Sequence, residues 1–354
     1  MKASKPMISV VVPCRNEKDH IESCVRSILA QKLSLGELEI LVVDGMSEDG
    51  TREILSNIAK EDPRLRVLDN PSQATPAALN IGIRASRGQY VTNFGAHAEF
   101  ASTYLQTCLE LLQEHPEAWC VGGPIISRGK GPFGQAVAEA MSHPIGVGNA
   151  KHRLPTYEGY AEGACFPMFR KEIFEKIGLY NEKLIYAEDD ELNYRLARAG
   201  GKVFISPRAR CTYFVRETPL RLFRQYFRYG AARVAVLRKY RRPASFRQIV
   251  PPVFIGLVLI SLIVGLWMPG WWKLTAGLLP VAYGGTLLLF GSAAVGKCGW
   301  RVALLLPVAA ATMHAAYAAG FFSALVTGIN YAALGTPSNK GEYSTPRTWR
   351  DNLR

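Results

Sequence analysis

The chain has 354 residues, 48% of them hydrophobic, and carries a formal net charge of +13. This length and apolar content are enough to bury at least one large core and exceed what a single small domain needs. The seven cysteines are scattered, without the paired spacing of a zinc site or the even number typical of a disulfide framework. The composition therefore argues against a disulfide-stapled domain and against a structural zinc protein.

Strand and helix patterns alternate through the first hundred residues. Predicted strands cover 8–12, 38–43, 65–68 and 89–94, and a helical pattern follows each of the first three. Such alternation predicts an α/β domain with a mostly parallel sheet, helices on both faces and a ligand at the carboxyl ends of the strands. Those ends carry Arg15, Asp44 and His97. A dinucleotide-binding domain needs a GxGxxG turn after the first strand, and Pro-Cys-Arg-Asn-Glu stands there instead.

Residues 188–191 are four consecutive acids, Glu-Asp-Asp-Glu, in a strongly cationic chain. Like charges repel, so this cluster indicates a cationic partner, a metal ion or a proton-transfer task. A structural interpretation competes: acids favour the first turn of a helix, and Leu192 and Leu196 have the spacing of its buried face. Taken alone, the structural interpretation is the better supported, because short motifs often occur by chance.

Four segments, taken in order, resemble one family. They are PCRNE after the first strand, VVDGMSEDGT after the second, NFGAHAE after the fourth, and AEDDELNYRL further on. Residues 6–230 resemble family-2 glycosyltransferases of the nucleotide-diphospho-sugar transferase (GT-A) type. The likeness is greatest to bacterial members that extend lipid-linked exopolysaccharide repeat units, such as the succinoglycan glucosyltransferases. The resemblance implies a GT-A fold and an inverting hexosyltransferase.

The resemblance also implies a nucleotide pocket. It makes Asp44 an acceptor for the uracil ring, which offers an N–H between two carbonyls. A plain Asp-Gly turn is the competing explanation for Asp44 and for Asp49. The other residues implied to line this pocket or shape its loop are Pro13, Arg15, Glu17, Ser47 and Asp49.

A divalent metal, Mn²⁺ or Mg²⁺, is implied as a cofactor. The family carries Asp-x-Asp or Asp-x-His after the fourth strand, and here Gly95 replaces the first acid. His97 stands at the position of the metal ligand and is a suitable ligand for Mn²⁺. Glu99 or a backbone group has to replace the missing acid, or donor binding is weak.

Catalytic and diphosphate-binding residues follow from the same resemblance. Aligning the acidic cluster with the family motif makes Asp189 the catalytic base, with Glu188 and Asp190 as supporting acids. Residues 225–229, Gln-Tyr-Phe-Arg-Tyr, resemble a Gln-x-x-Arg-Trp element with Tyr in place of Trp. Gln225 and Arg228 would then contact the departing diphosphate.

The second half of the chain predicts a membrane protein. Arginines and lysines alternate with apolar residues over 216–248, which favours amphipathic helices on a lipid surface and disfavours nucleic acid, because apolar segments follow. Those segments, 250–268, 271–291 and 302–328, can each cross a hydrocarbon core of about 30 Å. We predict a cytosolic domain at 1–215, interface helices at 216–248, about three transmembrane helices at 249–328 and a polar tail at 329–354. The glycine-rich stretch 129–148 is predicted to be a mobile loop near the acceptor.

Together these features predict an integral protein of the bacterial inner membrane with a cytoplasmic catalytic domain. It would move a sugar, with glucose as the leading candidate, from a UDP-sugar to a saccharide linked to polyprenyl diphosphate. Two alternatives stay open: a polyprenyl-phosphate sugar synthase, and a non-catalytic assembly subunit whose metal site has decayed at Gly95. The number of crossings and the side on which the tail lies also stay open, because basic residues flank several segments.

Overall fold

A computed structural model describes residues 6–34, 36–96, 99–243 and 245–329. Its strands are β1 (Ile8–Cys14), β2 (Leu38–Asp44), β3 (Leu65–Asp69), β4 (Tyr90–Asn93), β5 (Glu99–Phe100), β6 (Ala118–Gly123), β7 (Ile125–Arg128), β8 (Gly159–Ala161), β9 (Cys165–Arg170), β10 (Lys202–Ile205) and β11 (Cys211–Phe214). Its α-helices are α1 (Ile21–Leu29), α2 (Thr51–Glu61), α3 (Thr75–Ala85), α4 (Tyr104–Glu114), α5 (Gly131–Met141), α6 (Pro144–Val147), α7 (Ile173–Ile177), α8 (Glu188–Arg198), α9 (Pro219–Tyr240), α10 (Val250–Trp267), α11 (Trp272–Ala293), α12 (Val295–Cys298) and α13 (Trp300–Thr327). Short 3-10 helices cover Lys151–Arg153 and Phe246–Gln248.

The described residues form two compact units. The first comprises residues 6–126 and 154–213, and the second comprises 127–153 and 214–329. Of the polar tail predicted at 329–354, all but residue 329 lies outside the described residues. The predicted metal ligand His97 and the side chain of Glu99 also lie outside them.

An eight-stranded sheet organises the first unit, in the order β3-β2-β1-β4-β9-β6-β10-β8. Strands β3, β2, β1 and β4 are mutually parallel, and β6 and β10 form a second parallel pair. Only β9 and β8 run antiparallel to their neighbours. The prediction of a mostly parallel sheet is confirmed, and the antiparallel β9 is inserted between its two parallel parts.

Both faces of this sheet are buried, as expected for strands that read as continuous apolar runs. Side chains alternate along β1, so that Val10 and Val12 face a core shared with α1, α2 and α4. Val11 faces the opposite core, which α3, α7 and α8 complete. The strand continues past the predicted end at residue 12, because Pro13 and Cys14 remain paired with β2.

The second unit contains a helix where a loop was predicted. Residues 129–148 hold α5 and α6, so the prediction of a mobile glycine-rich loop is wrong. Pro132 lies in the first turn of α5, where proline is favoured, and the small residues Gly134, Ala136 and Ala140 are buried. Glycine and alanine here form a close-packed helix surface, and α5 packs against α13.

Glycines also determine how α9 packs on α13. A Cβ atom on Gly230 would lie 2.0 Å from the Tyr317 carbonyl oxygen, and one on Gly320 would lie 1.9 Å from the Phe227 carbonyl oxygen. The two backbones can approach this closely only where side chains are absent. Further along, Arg238 donates to the carbonyl oxygens that end α13, at 2.9–3.1 Å, and so caps that helix.

Three helical segments are long and apolar enough to cross a membrane, at the positions predicted. They are Phe246–Trp267, Lys273–Ala293 and Trp300–Thr327. Leucine, isoleucine and tryptophan side chains on α10 and α11 are widely exposed, for example Leu266 at 77% and Trp267 at 86%. Apolar exposure on this scale is typical of a surface that lipid covers.

Candidate functional site

The carboxyl edge of the sheet brings together the predicted nucleotide-binding residues. Strands β2 and β3 lie on one side of β1 in the sheet, and the next strand along the chain, β4, lies on its other side. The strand order therefore reverses between β1 and β4, which makes this a topological switch point. In sheets of this kind the crevice outside the strand ends at such a point is the usual ligand site. Pro13 lies in β1, one residue before this edge, and Arg15 and Asp44 follow at the ends of β1 and β2.

Asp44 is fully buried, and its carboxylate is held by several donors. Oδ2 accepts from the Ser47 backbone N–H at 3.0 Å and from Arg52 Nη1 at 2.8 Å. Oδ1 accepts from the Ser47 hydroxyl and, at 3.7 Å, from the Cys14 thiol. Burial, followed by the neighbouring Asp44 charge, raises the pKa of the Cys14 thiol well above its usual value. A buried carboxylate needs such compensation, and Arg52 supplies the positive charge.

Hydrogen bonds join the loop after β1 to the loop after β2. The backbone N–H of Asn16 donates to the Ser47 hydroxyl at 2.8 Å, and the Asn16 side chain accepts from the Glu48 N–H at 3.0 Å. The Glu17 N–H donates to the Thr51 hydroxyl at 2.9 Å. These bonds hold the two loops in a fixed relation before any ligand binds, which lowers the entropic cost of binding.

Asp49 forms hydrogen bonds within this pair of loops, just before α2 begins. Its carboxylate accepts from the backbone N–H and hydroxyl of Thr51, at 3.1 and 2.6 Å, and from the Lys18 N–H at 3.1 Å. Burial raises the pKa of Asp49, but these hydrogen bonds outweigh it and leave the pKa below its ordinary value. The observed contacts of Asp49 therefore shape the loop and start α2.

Gly45 leaves room for the Arg15 side chain. A Cβ atom at Gly45 would lie 3.2 Å from both Cβ and Cδ of Arg15. The aliphatic stem of Arg15 thus packs across the Gly45 backbone at the edge of the sheet. A larger residue at position 45 would displace it.

The acidic cluster forms the first turn of α8, as the structural interpretation required. The helix begins after Ala187, a non-glycine residue in the left-handed region with φ of 70°. Such a conformation costs about 1–3 kcal/mol and is common at functional sites. Asp189 accepts from the Asp190 N–H at 2.8 Å. Burial, and then the charges of Asp189 and Glu188, raise the pKa of the nearby Tyr180.

Glu191, the last of the four acids, has a structural role. It is buried and pairs with Arg195 one turn later, with N–O distances of 2.9–3.2 Å. Arg195 also donates to the backbone oxygens of Ile177, Gly178 and Leu179. The pair therefore attaches α8 to the end of α7 and leaves the preceding acids at the start of the helix.

Asp189 and Asp44 lie at the same edge of the sheet. Asn193, one turn after Asp189, lies against Gly163, which just precedes β9. The first residue of β9 pairs with the last residue of β6, so the start of α8 lies at the carboxyl edge of the parallel strands. Strands β2 and β9 are three positions apart, about 14 Å at the usual spacing. Alternation along β2 places Asp44 on the face of the sheet that α1 and α2 cover, whereas α8 packs with α3 on the other face.

Position 95 lacks an acid, but a buried oxygen lies near it. Asn93 Oδ1, at the end of β4, is buried and has no hydrogen-bond partner among the described residues. Asn93 is the last residue of β4, and Gly95 follows two residues later in the loop. No group of three His, Cys, Asp or Glu side chains suited to a metal occurs in the described part of the chain, from which His97 is missing.

The predicted diphosphate-binding residues lie on α9, in the second unit. Gln225 Nε2 donates to the Tyr229 hydroxyl at 3.1 Å, and Arg228 is exposed. The Gln-x-x-Arg-Tyr element is therefore one face of a regular helix. The roles of Gln225 and Arg228 stay predictions.

Sequence reasoning missed three residues of this site: Arg52, Asn93 and Asn80. The one local signal was for Arg52, which directly follows the Asp-Gly-Thr that starts α2, so that its side chain can reach back to the end of β2. Asn80 lies inside α3, where a polar residue among buried neighbours indicates a specific partner. Its partner is in a loop 100 residues away, which no spacing in the sequence indicates.

Known proteins of similar sequence cover almost the whole chain. Residues 9–178 match the family model of Glycosyl transferase family 2. The succinoglycan biosynthesis protein ExoA of Rhizobium meliloti (strain 1021) is 31% identical over 335 residues, which cover 90% of this chain and 94% of that protein. The dolichyl N-acetyl-alpha-D-glucosaminyl phosphate 3-beta-D-2,3-diacetamido-2,3-dideoxy-beta-D-glucuronosyltransferase of Methanococcus voltae is 25% identical over 91% of this chain and 98% of that enzyme.

A solved structure shares the fold. The mannosyltransferase PcManGT from Pyrobaculum calidifontis, in complex with GDP-Man and Mn²⁺, matches with a TM-score of 0.55 at 21% identity. The match covers 88% of each chain. The predicted GT-A fold is thereby confirmed.

Proposed function

Because the chain belongs to glycosyl transferase family 2, we propose that it is an inverting hexosyltransferase of exopolysaccharide biosynthesis. The donor is a UDP-sugar, with UDP-glucose as the first to test, and the acceptor is a saccharide carried on polyprenyl diphosphate. The observation that carries the proposal is the buried, multiply bonded Asp44 at the same sheet edge as the acidic start of α8. Asp44 lies beside the switch point of the parallel strands, which is the usual ligand site in such sheets, and α8 begins farther along the same edge.

Asp44 is proposed to recognise the uracil ring. A carboxylate offers about four acceptor positions, and Ser47, Arg52 and Cys14 occupy them. The thiol contact at 3.7 Å is the weakest, so the uracil N–H would replace it at the lowest cost. Arg15 and Glu17 would line the same pocket, while Ser47 and Asp49 keep its loop in shape.

Asp189 is proposed to be the catalytic base. Its carboxylate takes the proton of the acceptor hydroxyl while that oxygen forms a bond to the anomeric carbon. The bond from the anomeric carbon to the diphosphate breaks on the opposite face, and UDP leaves with the electron pair. Glu188 and Asp190 would keep the local potential negative, which favours the proton transfer. Arg228 and Gln225 would bind the departing diphosphate.

Asn93 Oδ1, which has no hydrogen-bond donor among the described residues, is a suitable ligand for a divalent cation. Carbonyl oxygens are good ligands for Mg²⁺ and Mn²⁺, and a buried acceptor without a partner is otherwise costly. We propose that Asn93 and His97 help to hold the cation. When bound, it would neutralise charge that develops on the leaving diphosphate.

A lipid-linked acceptor agrees with the three apolar helices and with the relatives. The name of the Methanococcus voltae enzyme places its acceptor sugar on a dolichyl phosphate, and ExoA is named for succinoglycan biosynthesis. An acceptor that cannot leave the bilayer requires an enzyme held beside it. We therefore propose an inner-membrane enzyme whose catalytic unit faces the cytoplasm, where nucleotide sugars are made.

A transfer assay tests the proposal directly. Full-length protein, lipid extract from a polysaccharide-producing cell and labelled UDP-sugars are incubated with Mn²⁺ or Mg²⁺, and label in the lipid fraction is counted. Asp189→Asn should lose at least about 100-fold in rate, as expected for loss of a general base. Asp190→Asn, which removes the same charge from the neighbouring residue, should lose far less. Equal rates for wild type and Asp189→Asn would refute the assignment of the base.

The absence of an acid at Gly95 favours one second candidate function, that of a non-catalytic assembly subunit with a decayed metal site. Calorimetry with UDP separates the two. An active transferase should show heat of UDP binding that increases with Mn²⁺, whereas a decayed site should show no dependence on the metal. If label appears on bare polyprenyl phosphate instead of a lipid-linked saccharide, the protein is a polyprenyl-phosphate sugar synthase.

A further inference from the structure

The second unit gathers partly buried cationic side chains from separate elements. Its sequence, residues 127–153 and 214–329, contains seventeen lysines and arginines and two acids, Glu139 and Glu217. Glu139 binds Lys297 at 2.8 Å, and Glu217 accepts from the backbone of Lys130. The positive charge of this unit therefore far exceeds what its own acids can neutralise.

Three of these cations converge on His152. Arg153 follows it in the short 3-10 helix, Arg233 comes from α9, and Arg247 comes from the turn before α10. Burial and then the charges of Arg153, Arg247 and Arg233 lower the pKa of His152 well below its usual value, so the ring is neutral at pH 7. Arg153 Nη1, and Nε and Nη1 of Arg233, are shielded from solvent.

Hydrogen bonds at Tyr317 hold Arg233 in place. The hydroxyl of Tyr317, on α13, donates to the Gln248 carbonyl oxygen at 3.1 Å and is hydrogen-bonded to Arg233. Gly230 is one turn before Arg233 on α9 and lies directly against Tyr317 at the helix crossing. The close approach of the two helices thus sets the position of Arg233. Guanidinium groups held in this way are pre-organised for a ligand with several anionic oxygens.

We propose that Arg153, Arg233 and Arg247 form a binding site for the diphosphate of an isoprenoid lipid. The inference deepens the proposed function and rests on it, because the lipid-linked diphosphate would be the acceptor. A phospholipid diester offers one negative charge, whereas a diphosphate that links an isoprenoid to a sugar offers two on adjacent phosphates. Arg247 also lies three residues before the start of α10, whose exposed apolar residues begin with Val250 and Val253. An isoprenoid chain can lie along that surface while its diphosphate contacts the arginines.

Binding of farnesyl diphosphate to the full-length chain in detergent micelles tests the site without a donor sugar or turnover. Arg153→Gln, Arg233→Gln and Arg247→Gln should each weaken binding about tenfold, as loss of a charge-assisted hydrogen bond would. Lysine at the same positions should weaken binding less, because the positive charge remains and only the paired N–H donors of the planar guanidinium are lost. Arg242→Gln removes the same charge from an exposed position and should change binding by about twofold or less.

Two further ligands identify the source of the anion. Inorganic pyrophosphate and phosphatidylglycerol should both bind more weakly than farnesyl diphosphate, and excess phosphatidylglycerol should not displace it. Displacement by phosphatidylglycerol, or an equal effect of Arg242→Gln, would overturn the proposal in favour of general attraction to anionic lipid. Thermal unfolding of each variant in the same detergent serves as the check of folding.

Comparison of the farnesyl diphosphate binding assay with the sugar transfer assay separates this inference from the proposed function. If arginine-dependent binding of farnesyl diphosphate is found but no UDP-sugar is transferred, the site stands and the transferase assignment fails. If transfer occurs but the glutamine variants bind farnesyl diphosphate like wild type, the transferase stands and this site is wrong.

Discussion

Asn80 and Tyr180 are joined by two hydrogen bonds of 2.9 Å, although 100 residues separate them in the chain. Asn80 donates to the Tyr180 carbonyl oxygen and accepts from the Tyr180 backbone N–H. The Asn80 side-chain amide thus satisfies both backbone groups of Tyr180, as a residue on a paired strand would. It also donates to Glu182 at 2.7 Å. Because α3 packs on β1 and β2, this contact ties the loop that leads to α8 to the part of the sheet that carries Asp44.

We expect Asn80→Ala to lower the free energy of unfolding by about 2–4 kcal/mol, since it leaves buried backbone groups of Tyr180 without partners. The transfer rate should fall with it, while UDP binding should change little, because the Asn80 side chain bonds to Tyr180 and Glu182 on the loop that leads to α8. Denaturant unfolding and UDP calorimetry measure the two effects. Asn181→Ala, which removes one exposed contact to Lys183, is the matched control and should cost less than about 1 kcal/mol. Equal stability of the two variants would contradict this interpretation.

Asp44→Asn should weaken UDP binding at least about tenfold, because a carboxylate that accepts from the uracil N–H is replaced by a neutral amide. Calorimetry with UDP measures the change. Asp69→Asn is the control: Asp69 binds the same Arg52 at 2.7 Å, but its side chain is 57% exposed. It should leave the affinity almost unchanged. If both variants bind UDP alike, Asp44 serves only to close the turn.

Gly95→Asp should restore the acid that the family pattern carries and increase UDP affinity about tenfold in the presence of Mn²⁺. Without the metal the added charge should not help, because it faces the diphosphate of the ligand. Gly95→Ala fills the same space without a ligand atom and is the control. Asn93→Ala should reduce the metal-dependent part of UDP binding, because it removes the buried oxygen. An identical metal dependence in wild type and Asn93→Ala would exclude Asn93 from the metal site.

The sequence predicted those parts of the site that local rules determine. Asp44 could be located because a continuous apolar run makes a buried strand and the Asp-Gly after it makes the turn. The carboxyl-edge rule then brought Arg15 and Asp44 together. The acids at 188–191 supported two interpretations, and the structure confirms the structural one for Glu191, which pairs with Arg195 on the same helix. The role of Asp189 as the base stays a prediction.

Contacts between distant segments were not predictable. The antiparallel β9 inserted between β4 and β6 determines which loops meet, and no periodicity in the sequence indicates it. The pairing of Asn80 with Tyr180 depends on that order. The segment 129–148 was misread because glycines signal loops in general, whereas here Gly134 and its alanine neighbours provide a small surface for helix packing.

Stability of the second unit should depend on pH through His152. Its folded-state pKa lies below its unfolded value near 6.5, so the unfolded chain binds more protons below that pH. The stabilisation is complete above about pH 6.5 and is lost as the pH falls, by at most about 1.4 kcal/mol per pH unit. Unfolding in detergent between about pH 7.5 and pH 5 should show this slope in wild type and a smaller one in His152→Gln. A slope that persists unchanged in the variant would assign the effect to other groups.

Gly230→Ala should disrupt the crossing of α9 and α13. The added carbon would lie 2.0 Å from the Tyr317 carbonyl oxygen, a backbone atom that cannot rotate away. The helices would have to separate, at a cost of about 1–3 kcal/mol. Gly320→Ala should have the same effect from the other helix, where the nearest atom is the Phe227 carbonyl oxygen at 1.9 Å.

Gly277→Ala and Gly284→Ala on α11 are the matched controls, because a Cβ at either position would have no neighbour within 4 Å among the described residues, apart from the adjoining backbone of its own helix. In these variants the higher helix propensity of alanine should preserve or raise stability, by up to about 1 kcal/mol. Thermal unfolding of all four variants in the same detergent gives the comparison. The crossing also positions Arg233, so Gly230→Ala should weaken farnesyl diphosphate binding while UDP binding persists. Equal melting temperatures for Gly230→Ala and Gly277→Ala would mean that the helices are not packed at this glycine contact.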